Sequence, residues 1–227
     1  MSNDLRTKGI ILRRTNYGEA DRILTIITKD GKISALAKGA RKLKSKLAGN
    51  IELFSYSEFV FHKGKGKLAI LTNARLIEYY SHIITSLEAI KDAGIMMKEI
   101  DRYSNHIESD QFLDLLQQAI KQLDNLVQQK KQFKIILIWF YINLWKISGE
   151  EINLHTDTTG NKLQANIIYD WSFENRAFIP SPNGRFLANH IKLLRLIASN
   201  RLSTVLHIEN YQKQLPEIEI ILKSHHQ

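Results

Sequence analysis

The sequence predicts an α+β multidomain chain: a five-stranded β-barrel over residues 1–80, then a helical bundle domain over 81–227 with an irregular insert at about 149–184. Three observations lead there. The apolar period lengthens from strand to helix near Tyr80, the surplus positive charge lies wholly before that change, and the longest apolar run, Ile135 to Ile142, lies beyond it.

Gly9-Ile10-Ile11-Leu12 reads as a first strand, followed by the turn Asn16-Tyr17-Gly18. Arg22 to Thr28 is a second and ends at Asp30-Gly31, a dipeptide suited to the positive φ of a tight hairpin. Lys32 to Ala37 follows as the third, completing a meander. A basic, glycine-bounded stretch from Gly39 to Gly49 leads to Ile51 through Phe61, whose alternation of apolar residues with Glu and Ser suits a strand with one wet face. Gly64-Lys65-Gly66 is a hairpin tip before a fifth strand at Leu68 to Leu71. Closure into a barrel follows because a lone five-stranded layer would expose its edges.

Past Ser81 the spacing is helical. Thr85 with Glu88 forms a capping box that opens a helix to about Tyr103, with Leu87, Ile90, Met97 and Ile100 inward. A second helix starts near Ser109-Asp110 and carries Phe112, Leu115, Leu116, Ala119, Leu123, Leu126 and Val127 at spacings of three and four. The third, Gln132 to Ser148, is apolar nearly all round and belongs at the centre of a bundle, though its apolar run is too short to cross a bilayer. Pro180 and Pro182 fall in the irregular insert, and two helices follow at about Arg185–Ser199 and Leu215–Ser224.

Composition narrows the function. With 44% hydrophobic and 24% charged residues in 227, the chain is ordinary for a globular protein and unlike a disordered or fibrous one. The absence of cysteine excludes disulfides, thiolate zinc and a cysteine nucleophile. The N-terminus has no signal-peptide core, so a cytoplasmic address with no membrane attachment is expected. The Gly64-Lys65-Gly66-Lys67 run lacks P-loop spacing, the eight histidines include no His-x-x-x-His pair, and no Gly-x-Ser-x-Gly elbow occurs. The expectation is therefore no enzyme, no metal and no cofactor.

Charge is the informative property. Residues 1–80 hold 16 of the 32 Lys and Arg but 7 of the 23 Asp and Glu, which is the whole net charge of +9. Lys38, Arg41, Lys42, Lys44 and Lys46 crowd one loop, and no acid occurs between Lys32 and Glu52. Lys63, Lys65 and Lys67 form a second cluster, and Arg13, Arg14 and Arg22 add to the same module. Each cation alone reads as a solvated surface charge, but clustering on loops of a small barrel favours a nucleic acid, whose phosphates relieve the repulsion by counterion release. Of Tyr17, Phe54, Tyr56, Phe59 and Phe61, at least one strand parity must be core, so base stacking is secondary to charge. An RNA-binding adaptor is the alternative function, and a nucleic-acid-processing enzyme is a third.

The residues that carry these features resemble the RecO family of recombination mediators. The likeness runs through Lys8-Gly9-Ile10-Ile11-Leu12, Tyr17-Gly18-Glu19-Ala20-Asp21-Arg22-Ile23-Leu24 and the Asp30-Gly31 turn. It is densest at Ala37-Lys38-Gly39-Ala40-Arg41-Lys42 with Ser45-Lys46-Leu47-Ala48-Gly49, and resumes at Gly64 to Thr72. It implies an OB-fold barrel followed by a helical domain in a bacterial, nucleoid-associated, non-enzymatic protein. The implied activities are binding of single- and double-stranded DNA, annealing of strands coated by single-stranded DNA-binding protein, and action with RecR to load RecA indirectly. The resemblance carries DNA contacts onto Lys38, Arg41, Lys42, Lys44 and Lys46, with Arg13, Arg14 and Arg22 beside them. It also implies docking of the C-terminal tail of single-stranded DNA-binding protein on the helical domain, where Lys121, Lys130, Lys131 and Lys134 are the candidates. Many members hold zinc with two Cys-x-x-Cys pairs; here Thr156-Asp157-Thr158-Thr159-Gly160 stands at the first, and packing of Trp171 and Phe173 is expected to hold the stretch instead.

Overall fold

A computed structural model describes residues 4–62, 68–107 and 109–224, which divide into two compact units, Met1–Phe133 and Lys134–Gln227. The first contains β1 (Asp4–Tyr17), β2 (Asp21–Thr28), β3 (Gly31–Ala37), β4 (Ser55–His62), β5 (Ala69–Tyr79), α1 (Leu87–Tyr103) and α2 (Gln111–Gln128). The strands close in the order β1-β2-β3-β5-β4, with β4 returning to β1. Closure depends on β1, which pairs with β4 through Asp4 to Ile10 and with β2 through Gly9 to Tyr17. A bulge between Ile11 and Arg13 turns it from one partner to the other. Gly9 sits at that crossover, where a Cβ would lie 2.3 Å from the Ile27 carbonyl oxygen. The remaining seam is short: β3 and β5 pair in parallel only at Ala35 with Ala69 and Leu36 with Ile70.

Inside the barrel lie Ile11, Leu24, Ile26, Phe59, Phe61 and Leu71, among others. The β4 parity is settled by Phe59 and Phe61, which stack with centroids 5.8 Å apart. Ser55 and Ser57 share their inward face. Ile10 and Ile27 are also fully buried although they are outside this cluster. They explain the unit boundary, because α1 and α2 contact β1 and β2 and cover that outer surface. The expected division at residue 80 therefore marks the end of the barrel strands, while the compact unit continues through α2. Asp101 of α1 strengthens the attachment, binding Lys32 Nζ at 2.8 Å and lying 3.5 Å from Arg13 Nε. Lys32 also bonds Asn105.

The start of α1 differs from expectation. Ser86, not Thr85, is its N-cap, accepting from the Ala89 N–H at 3.3 Å, and Thr85 ends a preceding 3-10 turn. The one-residue shift turns Leu87 outward, where it is 88% exposed, while Ala93, Met96 and Ile100 face inward. On α2, Leu113 and Ile120 are buried where Leu126 and Val127 are only half-buried.

The second unit contains α3 (Lys134–Ser148), β6 (Asn153–Asp157), β7 (Tyr169–Ser172), β8 (Ala177–Pro180), α4 (Ala188–Ser199), the short α5 (Leu202–Val205) and α6 (Leu215–Ser224). Helix α3 contacts α4, α5 and α6, as an all-apolar helix requires. The stretch expected to be irregular instead forms a three-stranded sheet in the order β6-β8-β7. Its short strands carry too few residues for a clear alternation. Trp171 and Phe186 both meet Phe178 edge-on, at 5.1 and 5.5 Å. Phe173, expected to share this role, is 51% exposed.

The turn after β6 is held by one carboxylate. Asp157 Oδ1 accepts from the Thr159 hydroxyl at 2.6 Å and from the N–H groups of Thr159 and Asn161 at 2.9 and 3.1 Å. The Thr159 hydroxyl bond, with these N–H bonds, holds the Asp157 carboxyl below its usual range against the opposing effect of desolvation. At the start of α4, His190 Nδ1 accepts from the Leu187 N–H at 2.8 Å. Burial lowers the pKa of this imidazole, partly offset by Glu217. No helix among the described residues is long and apolar enough to cross a membrane.

Asp157→Ala is expected to accelerate amide exchange at Thr159 and Asn161 with little change elsewhere, as read by hydrogen exchange. His190 is neutral in the fold and its pKa is lowered from 6.5, so its stabilisation is complete above that pH and declines below it as the unfolded chain takes up the proton. Melting temperatures of wild type and His190→Gln from pH 7.5 to 5 should therefore show a shallower decline in the variant.

Candidate nucleic-acid interface

The basic loop between β3 and β4 is fastened at both ends. At its start, Gly39 adopts φ +63° and donates its N–H to Asp21 Oδ1 at 2.7 Å, while the Arg41 N–H reaches the Ala20 carbonyl at 2.8 Å. Two successive turns follow, Lys42 N–H to the Gly39 carbonyl and Ser45 N–H to the Lys42 carbonyl, both at 3.0 Å. At the far end Asn50 donates to the Lys46 carbonyl at 3.1 Å and accepts from the Leu76 N–H of β5 at 3.1 Å. The inward β4 serines complete the attachment: Ser57 Oγ donates to the Asn50 carbonyl at 3.1 Å and Ser55 Oγ to the Glu52 carbonyl at 2.6 Å.

Apolar residues supply the other anchor. Ala40 and Ile51 are buried in the barrel core, with Leu47 packed against it. Two unit charges about 10 Å apart in water repel by about 0.4 kcal/mol, less in salt. Burying a side chain such as Ile51 contributes about 2 kcal/mol. The anchors therefore hold the loop in place despite its like charges.

Lys38, Arg41, Lys42, Lys44 and Lys46 are all exposed, and among the described residues none has a carboxylate within ion-pair distance. Arg41 Nη1 donates to the Gly18 carbonyl at 3.2 Å, placing its guanidinium against the β1–β2 turn. The other barrel candidates are differently disposed. Arg14 bonds Glu52 at 2.6 Å and Arg22 lies 3.8 Å from the other oxygen of that carboxylate, each side chain less than a quarter exposed. Arg13 faces Asp101 but remains largely exposed. Lys63, Lys65 and Lys67 lie outside the described residues, as does the Gly64-Lys65-Gly66 tip.

Of the five barrel aromatics, Phe54, Phe59 and Phe61 are buried and Tyr56 is half-buried, leaving Tyr17 exposed beside the Gly18 carbonyl that Arg41 holds. Sequence reasoning did not single out Leu43, which is fully exposed between Lys42 and Lys44. It also missed Asp21 and Asn50 as loop holders, polar residues whose roles depend on partners distant in sequence.

Of the helical candidates, Lys121, Lys130 and Lys131 belong to the first unit and Lys134 to the second. Lys121 pairs with Glu78 Oε1 at 2.9 Å, and Lys130 and Lys131 are exposed beyond the end of α2. Lys134 opens α3 in the other unit. That unit has an open cleft of about 690 Å³ lined by Lys146, Glu151, His155 and Arg195, where Arg195 Nε donates to the Leu154 carbonyl at 2.7 Å.

Residues 1–80 match the family described as Recombination protein O N terminal. Across 98% of the chain and 89% of the relative's length, the sequence is 33% identical to a protein of Dehalococcoides mccartyi named DNA repair protein RecO. A protein of the same name from Acetivibrio thermocellus is 48% identical over 42% of the chain and 38% of its own length. Another, from Staphylococcus epidermidis, is 26% identical over 96% of the chain and 88% of its own length.

Removing the Asp21 carboxylate should free the start of the loop without opening the barrel. Asp21→Ala is expected to cost about 1 kcal/mol in denaturant unfolding and to speed tryptic cleavage at Lys38 to Lys46 under native conditions. Cleavage at the wild-type rate would show that the apolar anchors suffice.

Proposed function

Since the chain belongs to the RecO family, with its role in DNA repair and recombination, we propose that its barrel is an OB-fold that binds single- and double-stranded DNA through the loop spanning Lys38 to Lys46. The observation that carries this reading is the contrast in pairing: the five loop cations are exposed and, among the described residues, have no carboxylate partner, whereas Arg14 and Arg22 share Glu52. A phosphate backbone supplies the missing counter-charge, and counterion release supplies the driving force. Arg13, Arg14 and Arg22 extend the surface, and Lys63, Lys65 and Lys67, outside the described residues, are further candidates.

Holding DNA by its phosphates leaves the bases free to pair. Two strands gripped this way repel less, so complementary strands anneal faster, with neither ATP nor metal in the step. The remainder of the chain recruits proteins: the acidic tail of single-stranded DNA-binding protein through Lys121, Lys130, Lys131 and Lys134, and RecR for loading of RecA. Such a protein works on the nucleoid, in the cytoplasm.

Titration with labelled single strands from low to high salt should give a log–log slope of about −0.7 for each phosphate neutralised. The triple variant Lys42→Glu, Lys44→Glu, Lys46→Glu should lose at least about tenfold in affinity at low salt while melting as the wild type does. Unchanged affinity in a folded variant overturns the assignment to this loop. RNA of equal length displacing the DNA at lower concentration would instead favour the adaptor reading.

A further inference from the structure

The loop also carries a side chain that charge does not account for. Leu43 is 102% exposed, the highest value among the large hydrophobic residues of the described chain. Other apolar residues between β3 and β4 turn inward: Ala40 and Ile51 are in the barrel core, and Leu47 and Leu53 pack on it. Leu43 also has a defined position. It and Lys44 are the two central residues of the turn closed by the Ser45 N–H on the Lys42 carbonyl at 3.0 Å, so the backbone directs it from the corner of the loop. The preceding turn closes on Gly39, which Asp21 holds. The apolar tip is thus presented on a fastened loop, among Arg41, Lys42, Lys44 and Lys46.

A solitary exposed leucine is unremarkable on most surfaces. Its setting here is specific, because cations that engage phosphates bring this side chain to the bases. Apolar wedges flanked by cations part base steps in DNA, exchanging stacking for burial of the wedge. A membrane surface also attracts cations with an apolar tip, but stable attachment uses an amphipathic helix or several inserted residues, and this loop offers one leucine between short turns.

We propose that Leu43 is a wedge that enters between neighbouring bases and unstacks them while the surrounding cations hold the phosphates. This inference rests on the proposed DNA-binding function and adds a local distortion that phosphate contact alone does not produce. The loop would then loosen stacked bases as well as hold strands.

The test separates gripping from wedging. Full-length wild type and Leu43→Ala are titrated against a duplex and a single strand, each with an internal 2-aminopurine whose fluorescence rises on unstacking, and binding is followed independently by anisotropy of a terminal dye. Leu43 is fully exposed and outside the barrel core, and circular dichroism confirms that Leu43→Ala is folded. At saturation the wild type should raise duplex 2-aminopurine fluorescence by about threefold, and Leu43→Ala should lose most of that rise while its anisotropy-derived affinity stays within about threefold. Leu43→Met, which keeps an apolar tip, should restore it. An equal rise in wild type and Leu43→Ala, or no rise for a bound wild type, overturns the wedge and leaves the DNA-binding reading intact. No anisotropy change with either DNA overturns both. Binding to phosphatidylglycerol vesicles that depends on Leu43, without base unstacking, overturns the wedge in favour of a membrane contact.

Discussion

The basic surface of this protein depends on holding like charges together by means other than charge. Five cations on one loop repel one another, and no acid between Lys32 and Glu52 offsets them locally. Ala40 and Ile51 in the barrel core, the Asp21 carboxylate on Gly39 and the Asn50 amide on β5 hold the loop instead. Each anchor works from beneath or from the ends of the loop, so the outward surface keeps its charge. The barrel core therefore sets the position of the loop's cations, and a cavity made under Ile51 would move charges that it never touches.

Much of the barrel was legible because its signals are local. Asp30-Gly31 marks a hairpin, and the alternation from Ser55 to Phe61 marks a strand with one inward face. Which parity faced inward was not legible, because Ser55 and Ser57 share the buried face with Phe59 and Phe61 and are satisfied by carbonyls of the preceding loop. The helices covering β1 and β2 were also missed as part of this unit. The signal lay in the apolar run Ile10 to Leu12 and in Ile23 to Ile27, interrupted only by Thr25, which indicate strands buried on both faces.

Beyond α3 the sequence was less informative. Three short strands around Phe178 give no clear period, and their order depends on pairing between β6 and β8, which are separated by β7. Around Asp157, one carboxylate accepts three short-range hydrogen bonds and defines a turn that composition alone leaves open. The basic candidates divide in the same way. Their positions followed from residue type, but Glu52 was not recognised as the shared partner of Arg14 and Arg22 because it lies 38 residues from the first of them.

The parallel seam between β3 and β5 bears on the order in which the barrel assembles. Four of its five interfaces join antiparallel strands over many residues, while this one holds two paired positions. It joins segments separated in sequence by the basic loop and β4, for the return of two paired positions. The meander and the β4–β5 ribbon are thus the parts of the ring that local pairing favours, and the two-position seam is the interface with the least pairing to drive its closure.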